Sequence, residues 1–290
     1  EYPLVNTEKG RFPGHFTAGF EASDALPRLV SIKAGTKVNV VPGKAKAAVE
    51  GFEMAALEKA AAETKEETGI SFEFAAEGTV TEITATGIGA HASTPDVGNN
   101  ALTGLLVFLG KLDFASCPQV DMVRKTASLF PHGDVNGKTL GVAMEDELSG
   151  NLTLSFNMLS VDAASMDGEF DGRIPVCGND ENVLEVVRAR MAEQGLTLLN
   201  KALIPPHHVS ADSYFVKTLL AAFELYTGRK GECQALGGGT YVHHLENGVA
   251  FGAAMPETDN KMHGPDEFAV VDELLVSAKI FAQAIVDLCG

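Results

Sequence analysis

The spacing of apolar residues along the chain predicts helices and strands that alternate. Residues 71–86 are rich in Val, Thr, Ile and Phe and alternate in polarity, which predicts two strands broken near Gly78. Residues 151–159 alternate in the same way, and residues 169–175 form a second predicted strand that carries Arg173. Helices and strands in this order predict packed α/β units.

Helical spacing and helix-ending residues predict the other elements. Residues 44–68 are rich in Ala, Glu and Lys, and we expect Pro42 and Gly69 to begin and end one helix there. Residues 1–10 are polar and predict a segment rich in turns. Further helices are predicted over residues 99–114, 119–130, 181–194, 214–226 and 271–288, and further strands over residues 196–204 and 249–251.

Length, composition and charge narrow the class of protein. The 290 residues allow one large or two ordinary domains, and Pro205-Pro206 marks the predicted boundary. A net charge of −17 without any basic stretch argues against nucleic acid or an anionic membrane as a partner. Four widely spaced cysteines favour a reducing compartment over a disulfide framework, and no apolar run is long enough to span a membrane. We therefore expect a cytoplasmic protein.

A histidine near the C-terminus is the best candidate for a metal ligand. His263 lies in a polar loop bounded by Gly and Pro, and imidazole is the commonest side-chain ligand for zinc. Glu267 follows four residues later and could orient the ring through a hydrogen bond. The alternative is a surface histidine beside an acidic residue.

A glycine loop precedes this histidine. The loop comprises Gly237, Gly238, Gly239 and Thr240 and lacks the Lys-Ser/Thr ending of a P-loop. Without Cβ atoms, its backbone could approach a ligand closely, and a short helix after it would favour an anion such as a substrate carboxylate. An ordinary strand-to-helix turn is the alternative.

Three residues in the first two thirds of the chain could contact a substrate. His91 lies in a loop of small residues and could stabilise an oxyanion, or it could simply be solvated. The Arg173 guanidinium matches a carboxylate bidentately, although it could instead pair with Asp171 or Glu169 at the surface. Asn39, at a strand end, could donate to a carboxylate or cap a turn.

Other arrangements are disfavoured. The adjacent pairs His207/His208 and His243/His244 are left out of the candidate metal site because neighbouring side chains diverge. The chain has no Gly-x-Ser-x-Gly elbow and no cysteine in a reactive context, which disfavours nucleophilic acyl transfer.

Together, these motifs resemble the dinuclear zinc dipeptidases of the PepV type, within the broader group of aminoacylases, carnosinases and glutamate carboxypeptidases. The resemblance covers essentially the whole chain. The matching segments are residues 1–3, 38–42, 89–95, 172–175, 205–207, 237–241 and 262–263.

The resemblance implies an α/β fold with two domains. Residues 11–204 would form an inserted two-layer α/β (α+β) lid that closes over the substrate. Residues 1–10 would end an N-terminal catalytic segment, and residues 205–290 would be the C-terminal remnant of the α/β catalytic domain that carries zinc.

The resemblance also implies a role for each candidate residue. His263 would be a zinc ligand with Glu267 beside it, and His91 would stabilise the oxyanion of the tetrahedral intermediate. Asn39 and Arg173 would hold the carboxylate of a dipeptide. Gly238, Gly239 and Thr240 would contribute further substrate contacts.

The resemblance implies an incomplete site in this chain. In the complete enzymes two zinc ions are held by further ligands, namely a His-x-Asp motif, a bridging Asp, a Glu-Glu pair and another Asp, which would lie ahead of Glu1. A catalytic metal needs three or more protein ligands, so this chain could hold at most one zinc site and is expected to be inactive alone. The complete protein would be a monomer or homodimer. A non-catalytic binding or dimerisation module, or a related deacylase or carboxypeptidase, is the alternative.

Overall fold

The structure is a computed structural model that describes residues 2–261 and 264–290. Its contacts divide the chain into two compact units. The inserted unit comprises Arg11–Glu145 and Asn151–Ile204, and the terminal unit comprises Glu1–Gly10, Asp146–Gly150 and Pro205–Gly290.

Helices and strands occur in both units. The strands are β1 (Leu4–Glu8), β2 (Gly10–Gly19), β3 (Arg28–Ala34), β4 (Val40–Val41), β5 (Lys44–Glu50), β6 (Ser71–Glu77), β7 (Val80–Thr86), β8 (Ala90–His91), β9 (Glu145–Asp146), β10 (Gly150–Asn151), β11 (Thr153–Val161), β12 (Ser165–Ile174), β13 (Thr197–Leu198), β14 (His207–His208) and β15 (Cys233–Leu236). The α-helices are α1 (Met54–Thr68), α2 (Ala101–Gly110), α3 (Pro118–Leu129), α4 (Glu185–Glu193), α5 (Tyr214–Thr227) and α6 (Val271–Cys289). The predicted α/β fold class is confirmed.

The inserted unit is built on one long sheet. The strand order is β13-β2-β12-β11-β3-β5-β7-β6, and neighbouring strands whose register is defined run antiparallel. Helix α2 packs against β5, β7 and β11, with α1 and α3 beside it. Alternate side chains therefore enter an apolar core, while the opposite side chains of β11 and β12 form a polar face.

The helix predicted over residues 44–68 is only partly correct. Lys44–Glu50 forms β5, and the helix begins at Met54. Ala45, Ala47 and Val49 are buried at every second position, so the period of two and the pairing with β3 and β7 override the helix propensity of Ala and Lys. The end of the helix at Gly69 is confirmed, because Gly69 takes φ 75° and its amide caps the last turn.

Three other predictions differ from the structure. Residues 1–10 contain β1, whose residues are all buried between β14 and β15. The strand predicted over residues 196–204 shrinks to β13 and an isolated bridge, and that over residues 249–251 shrinks to one bridge at Ala250. In the last two segments only a few residues pair with a neighbouring strand, so little regular ladder forms.

The terminal unit has a small sheet and two long helices. The sheet order is β14-β1-β15, with β1 parallel to β15 and antiparallel to β14. Helices α5 and α6 pack against each other around Tyr2, Phe223 and Ile280. Within the described residues, no helix is long and apolar enough to cross a membrane.

The close packing of β2 on β12 generates a stability prediction. A Cβ added at Gly14 would lie 2.0 Å from the Phe170 ring, whereas one at Gly110 would meet nothing within 4 Å. Gly14→Ala should therefore destabilise the protein by about 1–3 kcal/mol, because the ring must move within a packed core. Gly110→Ala should change stability by less than ~1 kcal/mol. Urea unfolding of both variants checks the difference, and equal effects would contradict this packing.

Candidate active site

Asn39 and His91 lie side by side in the inserted unit. The short strands β4 and β8 pair antiparallel, with Val40 opposite His91. The Ala92 amide donates to the Asn39 carbonyl at 3.0 Å, which extends this ladder by one bond. The pairing thus joins two candidate residues that are distant in sequence.

The hydrogen bonds of His91 define which ring nitrogen carries the proton. The Ser93 amide donates to His91 Nδ1 at 3.1 Å, and the Ser93 hydroxyl lies 2.7 Å from the same nitrogen. Because a backbone amide can only donate, Nδ1 is the acceptor, and the neutral ring carries its proton on Nε2. His91 therefore presents an N–H donor on the side of the ring away from Ser93.

Arg173 and Asp171 form a buried ion pair on β12. Their exposed fractions are 4% and 1%, so the alternative of a surface pair is wrong, although Asp171 is indeed the partner. Arg173 Nε donates to Asp171 Oδ1 at 2.5 Å, and Nη2 donates to Oδ2 at 3.2 Å. The fork holds the guanidinium in a fixed orientation on the polar face of the sheet.

Electrostatic coupling connects this pair with the His91 loop. The part of the His91 ring that is buried loses hydration, and this lowers the pKa of His91. The Arg173 charge lowers that pKa further. Burial raises the pKa of Asp171, while the charges of Arg173, Arg11 and His91 oppose that rise. The structure therefore brings His91 and Arg173 within electrostatic reach, and it adds Arg11 and Asp171 to the cluster.

Three polar side chains on β11, which we call the polar row, connect the sheet to the loop before Asn39. Asn157 is fully buried on β11, and its amide donates to the Val38 carbonyl at 2.5 Å and the Ser155 hydroxyl at 2.9 Å. Thr153, Ser155 and Asn157 recur at every second position, so they occupy one face of the strand. This period in an otherwise apolar strand is a signal by which sequence analysis could have found the row.

In the terminal unit, a buried glutamate holds the glycine loop. Glu8 is completely buried, and its Oε1 accepts from the Thr240 amide at 3.0 Å and the Thr240 hydroxyl at 2.5 Å. Both Thr240 donors are thus used within the chain. Gly238 and Gly239 precede this anchor, and a Cβ at Gly239 would lie 3.7 Å from Glu8 Oε2.

His243 completes the anchor, although sequence analysis left it out. Its Nδ1 lies 2.7 Å from Glu8 Oε2, and its Nε2 lies 2.8 Å from the Pro205 carbonyl. Since a carbonyl only accepts, Nε2 donates to Pro205, and Nδ1 pairs with the Glu8 carboxyl group. A charged residue at the end of the buried β1 was the available signal, and the assignment of residues 1–10 to turns obscured it.

The candidate metal ligand cannot be placed in this cluster. His263 lies outside the described residues, and Glu267 is exposed. Among the residues that the structure does describe, no group of three or more His, Cys, Asp or Glu side chains could hold a metal ion. The described side chains therefore do not by themselves fit a catalytic zinc centre.

One cavity with a mainly apolar lining is separate from these residues. It has a volume of about 360 Å³ and lies between α2 and α3, lined mainly by side chains such as Leu106, Leu109 and Val123. A second cavity of about 260 Å³ reaches Val41 and Ser155, close to the polar row. We place the chemistry at the polar cluster because the apolar cavity contains none of the predicted site residues.

The Glu8 anchor generates a stability prediction. Glu8→Ala removes the acceptor of both Thr240 donors and the partner of His243 Nδ1, so the unfolding free energy should fall by about 1–3 kcal/mol. Glu246→Ala, at an exposed glutamate of the same unit, is the matched control and should have little effect. Amide hydrogen exchange at Thr240 should accelerate in Glu8→Ala, and unchanged exchange would contradict the anchor.

The surroundings of His91 generate a pH prediction. The pKa of His91 should lie below the value in an unfolded peptide of residues 88–96, because burial and Arg173 disfavour the charged ring. Because the pKa of His91 is lower in the folded protein than in the unfolded chain, the free energy of unfolding is highest above the unfolded pKa. It decreases as the pH falls from the unfolded pKa through the folded pKa. NMR titration of the ring nitrogens compares protein with peptide, and a higher pKa in the protein would refute the assignment.

Known proteins were compared with the chain and with its fold. No family model matches the chain. It is 34% identical over 295 residues to the putative dipeptidase YtjP of Bacillus subtilis. This match covers 99% of this chain and 62% of the length of YtjP. It is 31% identical over 289 residues to the beta-Ala-Xaa dipeptidase of Lactobacillus delbrueckii subsp. lactis, covering 99% and 61%. The chain therefore spans less than two thirds of the length of these curated relatives.

A solved structure supports the same relationship at the level of the fold. The aminoacylhistidine dipeptidase from Vibrio alginolyticus matches with a TM-score of 0.51 and 12% identity, over 98% of this chain and 62% of that one. At this identity the likeness shows the fold alone. The resemblance to the dipeptidases that the motifs indicated is thus confirmed over nearly the whole of this chain.

Proposed function

We propose that this chain supplies the lid and the C-terminal part of the catalytic domain of a zinc-dependent dipeptidase. The inserted unit would be the lid of residues 11–204, and the terminal unit would contain residues 205–290 of the catalytic domain. The observation that carries the proposal is that the β4–β8 pairing brings Asn39 beside His91, and that His91 lies within electrostatic reach of Arg173. The names of the two curated relatives favour a dipeptidase over a deacylase or carboxypeptidase.

His91 would stabilise charge that develops during peptide hydrolysis. Its neutral ring donates from Nε2, and burial and the Arg173 charge, which lower its pKa, favour this neutral form. A donor aimed at the oxyanion accelerates the reaction because the negative charge exists only in the transition state and intermediate.

Arg173 and Asn39 would bind the carboxylate of the dipeptide. The bidentate pair with Asp171 prevents the guanidinium from turning, so substrate binding would cost little side-chain entropy. The backbone of Gly238 and Gly239 would contribute contacts. Thr240 would act through the loop geometry, because its amide and hydroxyl both bind Glu8.

The metal centre would be completed from outside the described residues. His263 would provide one ligand, with Glu267 beside it, and the other ligands would come from a catalytic segment that is not in this chain. Two zinc ions in the complete enzyme would supply an activated water and polarise the peptide carbonyl. The described side chains hold no such set, so their own contributions are limited to binding and to oxyanion stabilisation.

The missing catalytic segment would cover an apolar surface of the terminal unit. Large apolar side chains on α5 and α6 are exposed, including Leu225 at 66%, Leu275 at 58% and Ile285 at 62%. Such a surface indicates a protein interface. Because the relatives are considerably longer than this chain, we assign the surface to their remaining part, in a cytoplasmic monomer or homodimer.

A binding and turnover assay tests the proposal on the chain as it stands. With zinc and a β-Ala-Xaa dipeptide, the 290-residue chain should show binding by NMR shifts at Ser93 and Arg173 but negligible hydrolysis. Turnover that a chelator abolishes would refute the incomplete site. Absence of any shift at the polar face would refute its role in substrate binding.

In the complete enzyme, His91→Ala should lower kcat by about 10²–10³-fold without loss of bound zinc, because the ring stabilises charge rather than the metal. His15→Ala is the matched control, since His15 is partly exposed and pairs with Asp167. Metal analysis beside the kinetics checks the assignment, and loss of zinc in proportion to activity would contradict it.

A further inference from the structure

The apolar core of the inserted unit contains a cavity between α2 and α3, which we name the α2–α3 cavity. Its volume is about 360 Å³, although six of the side chains that line it are each at most 5% exposed. Protein interiors are packed as densely as organic crystals and seldom contain voids much larger than a water molecule. A void of this size among buried side chains therefore indicates space for a ligand. The six side chains are Leu29, Leu106, Leu109, Val120, Val123 and Phe130.

The α2–α3 cavity is open to solvent on one side. Three of the residues that line it are exposed, namely Glu67, Gly110 and Arg124. Gly110 is the last residue of α2, and a Cβ added there would meet nothing within 4 Å. These three residues thus mark the mouth through which a ligand can enter.

The polar side chains inside the cavity already have partners within the chain. The Thr103 hydroxyl donates to the Asn100 carbonyl at 3.2 Å and lies 2.9 Å from His132 Nδ1. Burial lowers the pKa of His132, and a hydrogen bond with the Thr68 backbone and the Glu67 charge oppose this only in part, so the neutral ring is favoured. None of the buried unpaired polar atoms found in the described residues belongs to this lining. The interior therefore suits an apolar group.

One charge at the mouth is left without a partner. The Glu67 carboxylate is neutralised by Lys111, whose Nζ lies 2.9 Å from Glu67 Oε2. Arg124 forms neither an ion pair nor a side-chain hydrogen bond within the part of the chain that the structure describes. Its guanidinium fork matches a carboxylate in shape and charge. The mouth therefore favours a ligand that ends in an anionic group.

The volume sets the size of the ligand. An apolar cavity of about 150 Å³ binds benzene, so on the same scale the α2–α3 cavity holds about 14 carbon or oxygen atoms. We propose that this cavity binds an unbranched aliphatic monocarboxylate of about eight to twelve carbons. Its chain would lie among Leu106, Leu109 and Val123, and its carboxylate would lie at Arg124. The site goes beyond the proposed function, because its residues are separate from the polar cluster around His91.

Carboxylates of increasing chain length test the proposal on the 290-residue chain. Hexanoate, octanoate, decanoate, dodecanoate and hexadecanoate are titrated below their micelle-forming concentrations, and the methyl NMR signals of Leu106, Leu109 and Val123 are followed. From hexanoate to decanoate the affinity should rise about tenfold or more for every two added CH₂ groups, because each buried CH₂ contributes about fourfold. Hexadecanoate should bind no more tightly than dodecanoate, because the cavity is then full.

Variants test the position of the carboxylate and of the chain. Arg124→Gln should weaken decanoate about two- to fivefold, as expected for an exposed ion pair, and leave decanol unchanged. Lys125→Gln removes the same charge from the adjacent exposed position, which does not line the cavity, and should leave decanoate affinity unchanged. Val123→Phe fills the cavity and should abolish decanoate binding without lowering thermal stability. Because Arg124 is exposed, its variant tests the site even if Val123→Phe does not fold.

Four outcomes would overturn the proposal. The first is that none of the acids shifts the methyl signals of the cavity, and the second is that affinity keeps rising from dodecanoate to hexadecanoate. Shifts confined to Leu225 and Leu275 would be the third, because they would assign binding to the exposed surface of α5 and α6. Equal decanoate affinity of wild type and Arg124→Gln would be the fourth, because the ligand would then need no anionic group.

Discussion

A carboxylate that is removed from water sets the arrangement of the inserted unit. Asp171 is almost completely buried, and burial dominates its pKa in spite of the cations around it. A buried ion pair of this kind seldom stabilises a fold relative to apolar residues, because desolvation offsets the attraction. Its structural effect is geometric, because Asp171 fixes the orientation of the Arg173 fork. Its charge also partly offsets the lowering of the His91 pKa by burial and by Arg173. The polar face is therefore organised for position rather than for stability.

The terminal unit is also organised around a buried acidic side chain. Glu8 is buried at the end of β1, and it binds the glycine loop through Thr240 and His243, more than 230 positions further along the chain. A loop rich in glycine has high conformational entropy in the unfolded chain, so it needs such an anchor to keep one conformation. Each unit thus contains a buried acid whose partners are the candidate functional elements.

Local patterns in the sequence predicted the elements that depend on local interactions. The hairpin of β6 and β7 follows from alternation around Gly78, and α2, α3, α5 and α6 follow from helical spacing. Lys44–Glu50 was missed because its alanines favour a helix until two neighbouring strands are present. Long-range pairing decides such segments, and one sequence does not display it.

The same limit explains which site residues could be predicted. His91, Asn39 and Arg173 were suggested by residue type and by resemblance, but their proximity depends on the β4–β8 ladder and on electrostatic coupling across the sheet. Arg11 joins this cluster only in the folded sheet, where its charge acts on Asp171, and Glu8 is recognisable only from its burial. Residue types that can take part in catalysis can be identified in a sequence. Which charges lie close together is decided only when the sheet has folded.

The hydrogen bond from the Ser93 amide to His91 limits the role that this histidine can have in the proposed reaction. A ring whose Nδ1 already accepts and whose Nε2 already carries hydrogen has no open lone pair with which to deprotonate water. His91 is thereby disqualified as the general base, at any pH where it remains neutral. In the proposed reaction another side chain would abstract the proton, and the residues of the inserted unit would contribute polarity without taking part in proton transfer.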